Sequence, residues 1–277
     1  MTSSTGRVWL NGQILDASQA QISVADHGLT VGDGVFETMK VVDGRAFALN
    51  RHLDRLRGSA DRLGLDVPTD AELRTALAAT VEANGPSVGR LRITITGGLG
   101  PPGTARGNSG PTVLVIAGES REWPPSAAVA VVPWTRNERS AVAGAKTTSY
   151  AENVVALARA QASGASEALF LDTRGHLSEG TGTNVFVVMD GDLLTPPLSC
   201  GCLAGVTRAL VIEWSGAKEV ELDASVLERA DEVFVTSSTR DVQAVHAVDQ
   251  RVYRAPGAVT STVAATFRER STADLDP

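Results

Sequence analysis

Lysine is nearly missing from this chain. Its 277 residues hold only Lys40, Lys146 and Lys218, and arginine carries the rest of the basic charge. Cysteine is as scarce. Cys200 and Cys202 lie one residue apart, too few and too close to frame a disulfide-stapled fold, and they read as small packing residues. The four histidines (His27, His52, His176 and His246) are scattered, and neither His-Glu-x-x-His nor paired Cys-x-x-Cys occurs, so metal catalysis has no support. No apolar run reaches the roughly 18 residues that a membrane helix requires. Met1 to Trp9 lacks the basic start and apolar core of a secretion signal. A net charge of −7 argues against nucleic-acid or anionic-membrane partners. Gly97-Gly98-Leu99-Gly100 lacks the strand-to-helix setting and spacing of a dinucleotide loop. These absences leave a soluble protein of the reducing cytoplasm as the expectation.

What is present reads as an ordinary globular chain, 43% hydrophobic and 21% charged, long enough for one large or two small domains. Arg7 to Leu10 and Gln13 to Leu15 flank an Asn11-Gly12 turn, a strong hairpin signal. Val35 to Val42 reads as a strand, with Ala46 to Leu49 returning after Asp43-Gly44. Leu53, Leu56, Ala60 and Leu63 predict a helix over about Asn50 to Leu63. Leu73, Leu77 and Val81 predict another from Asp70. Arg90 to Thr96 and Val113 to Ala117 read as paired strands around a glycine- and proline-rich loop. Trp134 to Arg139 reads as an interdomain connection. Beyond it come a helix over Ala151 to Ser163, strands at Ala168 to Leu171, Val185 to Met189 and Leu193 to Leu194, a helix after Thr207, and strands at Val233 to Thr236 and Val245 to Val248. Ser271 to Pro277 reads as a disordered tail. The domains are placed at 1–133 and 141–277, with 134–140 as linker.

Chemistry concentrates at one lysine. Lys146 follows the apolar, small-residue run Ser140 to Ala145, which suits a partly desolvated amine whose lowered pKa makes it a Schiff-base nucleophile. Lys218, in Gly-Ala-Lys-Glu, suits a solvated surface. Glu179, in Leu177-Ser178-Glu179-Gly180, would then be the acid that a pyridinium nitrogen needs as its partner. Motifs then follow in order: Gly32-Asp33-Gly34-Val35-Phe36-Glu37, His52-Leu53-Asp54-Arg55-Leu56, Gly144-Ala145-Lys146, Ser178-Glu179-Gly180-Thr181-Gly182-Thr183-Asn184-Val185-Phe186, Leu194-Thr195-Pro196-Pro197 and Gly205-Val206-Thr207-Arg208. In this order they resemble the fold-type IV pyridoxal-phosphate enzymes: branched-chain aminotransferases, D-amino acid aminotransferases and 4-amino-4-deoxychorismate lyases. The resemblance runs from Val8 to Val245.

The resemblance implies an α/β (α+β) fold of two domains with pyridoxal 5′-phosphate in the cleft between them, and usually a homodimer. It makes Lys146 the Schiff-base lysine and proton shuttle, and Glu179 the partner of the ring nitrogen. It gives Arg55 a phosphate, whose planar fork can grip two oxygens. Arg51 and Arg55 would repel in an ordinary helical pair, which favours a ligand there. The amides of Val206 and Thr207, opening a helix, and the hydroxyl of Ser238 join Arg55 on the phosphate. Tyr150 matches a tyrosine near the ring's phenolic oxygen, with one residue fewer between lysine and tyrosine than in branched-chain aminotransferases. Phe36, Thr38, Arg92 and Thr239 are the candidate substrate contacts. Thr38 stands where the lyases carry threonine and branched-chain enzymes glycine; Glu37 is the transaminase-like residue. The Arg-x-His carboxylate clamp of D-amino acid enzymes is replaced by Thr94-Ile95-Thr96-Gly97-Gly98. The expectation is therefore 4-amino-4-deoxychorismate lyase, forming 4-aminobenzoate and pyruvate for folate biosynthesis. The alternative is a transaminase of branched-chain amino acids, D-amino acids or (R)-amines.

Overall fold

The structure is a computed structural model that describes residues 6–277; Met1 to Thr5, part of the stretch read above for a secretion signal, lie outside the described residues. The chain divides into two compact units, and the fold is mixed α/β. The first comprises residues up to Arg121 together with Ala145–Tyr150 and Leu275–Pro277; the second comprises Glu122–Gly144 and Ala151–Asp274.

In the first unit, β1 (Arg7–Leu10) and β2 (Gln13–Asp16) form the expected hairpin, with Asn11 and Gly12 both at positive φ as a tight turn demands. A short helix α1 (His27–Thr30) precedes β3 (Gly34–Val42). The return strand β4 is only Arg45–Ala46: Ala48 takes a left-handed φ of 53°, and α2 (Leu49–Leu63) begins at once. α3 (Asp70–Asn84) opens on a capping box between Thr69 and Glu72. β5 (Val88–Thr96) and β6 (Thr112–Glu119) complete a sheet in the order β2-β1-β6-β5-β3-β4. Side chains alternate along β3 and β5. Val35, Met39, Leu91, Ile93 and Ile95 face the core with Leu53, Leu56, Leu73 and Leu77 of the two helices. The opposite face presents Phe36, Thr38 and Arg92.

The sheet edge matters for the site. β4 covers only Val41 and Val42, so Gly34 to Phe36 would be bare edge. Lys146 to Thr148 fills it: Phe36 N–H donates to Lys146 O at 3.0 Å, Thr148 N–H to Gly34 O at 2.8 Å, and Val35 bridges Thr147. The C-terminal tail departs from the disorder expected of it. Leu275 O accepts from Ala48 N–H at 2.7 Å, Asp276 Oδ1 from Asn50 N–H at 2.9 Å and Pro277 O from Arg51 Nε at 2.7 Å. The start of α2 has no side-chain cap, and the tail supplies acceptors for its unpaired donors.

The second unit is built on β7 (Ser126–Arg136), α4 (Ala151–Ala162), β8 (Glu167–Asp172), β9 (Leu177–Gly180), β10 (Asn184–Met189) and β11 (Asp192–Thr195). It continues through α5 (Val206–Ser215), β12 (Lys218–Glu219), α6 (Val226–Arg229), β13 (Glu232–Ser237), β14 (Asp241–Val248), β15 (Arg251–Val252) and α7 (Ala258–Ala273). The strands run β12-β11-β10-β13-β14-β7-β8-β9, and β9 also bridges β10 at Glu179–Asn184. Strands β10, β13, β14, β7, β8 and β9 thus close on themselves around Val129, Leu169, Val185, Val187, Val233, Val235 and Val245. Trp134 to Arg136, read above as connection, is the end of β7: Thr135 and Arg136 pair with Leu171 and Asp172 of β8. Pro133 sits within the register shift between Val131 and Thr135, where a missing N–H is tolerated.

Candidate active site

In the first unit the site grows from β3. Phe36 lies on the non-core face, and Lys146, stitched beside it by the backbone bonds above and by its own N–H to Ser59 Oγ at 3.1 Å, places Nζ 4.4 Å from the Phe36 ring centroid. Tyr150 meets Phe36 edge-on at 5.2 Å and lies 5.7 Å from Lys146 Nζ. The Arg92 guanidinium stacks on Phe36 at 3.7 Å; Arg92 pairs across the sheet with Thr38, and its Nε bonds Thr94 Oγ1 at 3.3 Å. Among the described residues Arg92 has no carboxylate partner, and burial draws its pKa below the usual arginine range. The other lysines are placed differently: Lys40 lies 5.0 Å from the Phe47 ring, and Lys218 makes an exposed 2.9 Å pair with Asp192.

Behind that face, Glu37 points into the core toward α2. Its carboxylate is fully buried and takes Arg55 Nε at 2.7 Å, Arg55 Nη2 at 2.8 Å and His52 Nδ1 at 2.7 Å. Burial alone would push the Glu37 carboxyl up, but Arg55 and His52 together hold it far below the carboxylate range. Burial pushes His52 down against the opposing pull of Glu37, and facing that carboxylate its Nδ1 acts as a donor. The motif placed Arg55 at the site but not against Glu37. Arg51 and Arg55 do not confront each other, since Arg51 turns to Pro277 O and Arg55 to Glu37.

In the second unit, Glu179 sits at the β9–β10 seam. Its Oε2 accepts Leu203 N–H at 2.8 Å, and its Oε1 lies 3.0 Å from Arg136 Nε. Asn184 Nδ2 donates to Leu203 O at 2.8 Å, so the loop leading to α5 is stitched to both residues of the seam. The α5 cap is Gly205, where a Cβ would fall 2.0 Å from Asn184 Oδ1; no side chain caps the helix. Val206 and Thr207 are buried, and their amides have no hydrogen-bond acceptor among the described residues. A helix N-terminus left open beside a carboxylate fits a cofactor with an anionic phosphate at one end and a basic ring nitrogen at the other. Ser238 and Thr239 lie in the turn between β13 and β14, where Arg240 N–H bonds Ser237 O at 3.3 Å.

Arg136 escaped the sequence reading because its stretch read as linker. Another cluster, Asp172, His176 and Cys200, has metal-ligand chemistry, but Arg174 Nη2 already sits 2.8 Å from Asp172 Oδ2 and 3.8 Å from Cys200 Sγ. Burial, then Asp172, pushes the Cys200 thiol up to about 11; burial, then Glu179, pushes Cys202 up to about 12. Both stay protonated packing residues.

Comparison with known proteins agrees with this chemistry. The D-alanine aminotransferase of Bacillus licheniformis is 30% identical over 93% of this chain and 94% of its own length. The branched-chain aminotransferase of Thermoproteus uzoniensis, solved with norvaline, is 33% identical at a TM-score of 0.86, covering 95% of this chain and 94% of that one. A branched-chain amino acid aminotransferase from T.th., solved with pyridoxamine 5′-phosphate, superposes with a TM-score of 0.89 and 28% identity, over 97% and 95% of the two chains. Residues 34–248 match the family described as amino-transferase class IV. The chain therefore belongs to the class IV aminotransferases, enzymes of fold type IV that work with pyridoxal 5′-phosphate.

Proposed function

We propose that the protein is an aminotransferase of amino acids, with Lys146 as the residue that holds the cofactor and moves the proton. The observation that carries this reading is the Phe36 platform, with Lys146 Nζ at 4.4 Å and the Arg92 guanidinium at 3.7 Å from one ring. A substrate with an amine for the first and a carboxylate for the second uses both; a simple amine leaves the half-buried guanidinium without a carboxylate. The relatives named above, acting on branched-chain amino acids or D-alanine by their names, support transamination.

When bound, pyridoxal 5′-phosphate supplies a carbonyl for the substrate nitrogen and a ring that stores electrons. The chain's residues do the rest. Lys146 Nζ takes and returns the proton beside that nitrogen. Arg55, the amides of Val206 and Thr207 and the Ser238 hydroxyl would hold the cofactor's phosphate, Glu179 would hold its ring nitrogen, and Tyr150 would face its phenolic oxygen. Phe36, Thr38 and Thr239 border the substrate.

A second reading, 4-amino-4-deoxychorismate lyase in folate biosynthesis, is favoured by Thr38. It stands opposite Arg92 on the same sheet face, where lyases carry threonine. Ile22, Val24, Leu29, Val31 and Leu99 are exposed in the first unit, with Leu99 bridged to Asp26 of the same segment. That apolar surface suits a second copy, and we infer a homodimer of the cytoplasm.

The test is to load the protein with cofactor and follow its visible spectrum while adding L-leucine, D-alanine or aminodeoxychorismate. Transamination predicts that a band near roughly 410 nm gives way to a pyridoxamine-type band with an amino acid, and that Lys146→Ala removes both the band and turnover. Release of 4-aminobenzoate and pyruvate with an unresponsive band would establish the lyase instead. No band after loading would overturn both.

A further inference from the structure

Glu179 is held before any ligand arrives. Oε2 takes the Leu203 amide at 2.8 Å, and Oε1 faces Arg136 Nε at 3.0 Å in an ion pair whose angle falls short of an aligned hydrogen bond. Arg136 is itself fixed at the end of β7. Its guanidinium stacks on the buried Phe170 ring at 4.3 Å, and Nη1 reaches Glu152 Oε2 at 2.8 Å and Asn153 Oδ1 at 3.2 Å. Asn153 then donates to Thr181 O at 2.6 Å, holding the turn two residues beyond Glu179. One arginine thus grips the carboxylate while its neighbour pins the following loop. Cys202, which also lies beside Glu179, stays a neutral thiol, and Arg136 is a cation paired with this carboxylate.

A carboxylate paired with a protonated ring nitrogen in a half-buried site faces a competing arrangement, in which the proton crosses to oxygen and both partners become neutral. An adjacent fixed cation disfavours the protonated acid and so disfavours that crossing. We propose that Arg136 is a positioning residue for the ring-nitrogen site, orienting Glu179 and keeping it ionised so that the shared proton stays on the cofactor nitrogen. The proposal rests on the cofactor role given to Glu179 above.

The experiment loads cofactor labelled with 15N in the ring into the wild type, Arg136→Gln, Arg136→Lys, Glu179→Gln and the Arg136→Gln/Glu179→Gln double variant. It reads the ring-nitrogen resonance and the dissociation constant of the cofactor. Arg136→Gln is expected to move the resonance toward the unprotonated position and weaken binding about tenfold, the difference between a charged and a neutral hydrogen bond from Glu179 to the ring nitrogen. Arg136→Lys keeps a cation and should keep the wild-type resonance. Glu179→Gln should show the shift by itself, with no further change on adding Arg136→Gln. Arg136→Met, which retains an apolar stem against Phe170, carries the same expectation as Arg136→Gln should that variant fail to fold. A wild-type resonance in either neutral variant overturns the proposal and leaves the function standing. A wild type that takes up no cofactor, or a Glu179→Gln resonance unchanged from wild type, overturns the role of Glu179 and with it this inference.

Discussion

Replacing Glu37 by glutamine removes a charge with no contact to water and two basic neighbours. Three bonds converge on it, two from the Arg55 fork and one from His52, all at 2.7–2.8 Å. Breaking one side of a buried pair costs roughly 3–5 kcal/mol, because the partner charge is left uncompensated. Glutamine keeps the shape and one acceptor oxygen, so about 3 kcal/mol is expected. At roughly 2–4 °C per kcal/mol for a chain of this size, the melting temperature should fall by roughly 6–12 °C. Thermal unfolding by circular dichroism near neutral pH measures this, with urea unfolding as a check. Arg55→Gln should cost a similar amount, and the double variant less than the two together, since both remove one interaction. The pH dependence has a definite sign. A carboxyl held low by folding stabilises above its unfolded value, near roughly 4.3, and that contribution drains away as pH falls below it. The gap between wild type and Glu37→Gln should therefore narrow below about pH 4. A variant melting within about 2 °C of wild type, or a gap that widens in acid, would refute the reasoning.

Two further outcomes follow from the non-core face of β3 and from the apolar segment ahead of it. Arg92→Met should raise KM for amino-acid substrates by about tenfold to a hundredfold with kcat little changed, the signature of lost substrate binding; steady-state kinetics that show kcat falling alone would move Arg92 off the substrate. Leu29→Glu, at a side chain two-thirds exposed, should convert a dimer to monomers in sedimentation velocity, and a wild type already monomeric at micromolar concentration would remove the homodimer.

The readable parts of the fold are those where local chemistry agrees with tertiary packing. The Leu53, Leu56, Ala60 stripe lies on the buried side of α2, and the Asn11-Gly12 turn makes its hairpin. α7 was not legible because its buried positions are Thr260, Val263, Phe267 and Ser271; two of the four are hydroxyl residues, and no apolar stripe stands out. The docking of the tail was hidden too, since it depends on backbone donors of α2 that no composition reveals. At the site, residue types were legible and pairings were not. Glu37 and Arg55 are 18 positions apart on a strand and a helix, and neither motif says that the two meet. Arg136 had no signal at all, because its role depends on β7 continuing past Pro133.

The scarcity of lysine acquires a meaning once these pairs are in view. Buried or half-buried arginines hold carboxylates in both units: Arg55 with Glu37, Arg136 with Glu179, Arg208 with Glu219 and Arg240 with Glu167. A guanidinium remains charged when desolvated and binds carboxylates with a rigid fork, whereas a buried lysine readily loses its proton. Scaffolding built from arginine leaves Lys146 as the one amine on the Phe36 platform. Arg92 breaks the pattern. It is half-buried, stacked on the same ring as that amine, and has a hydroxyl where the other arginines have a carboxylate. Under the proposed function, a guanidinium placed so would receive the substrate carboxylate, and the choice of amino acids over simple amines would rest on that single side chain.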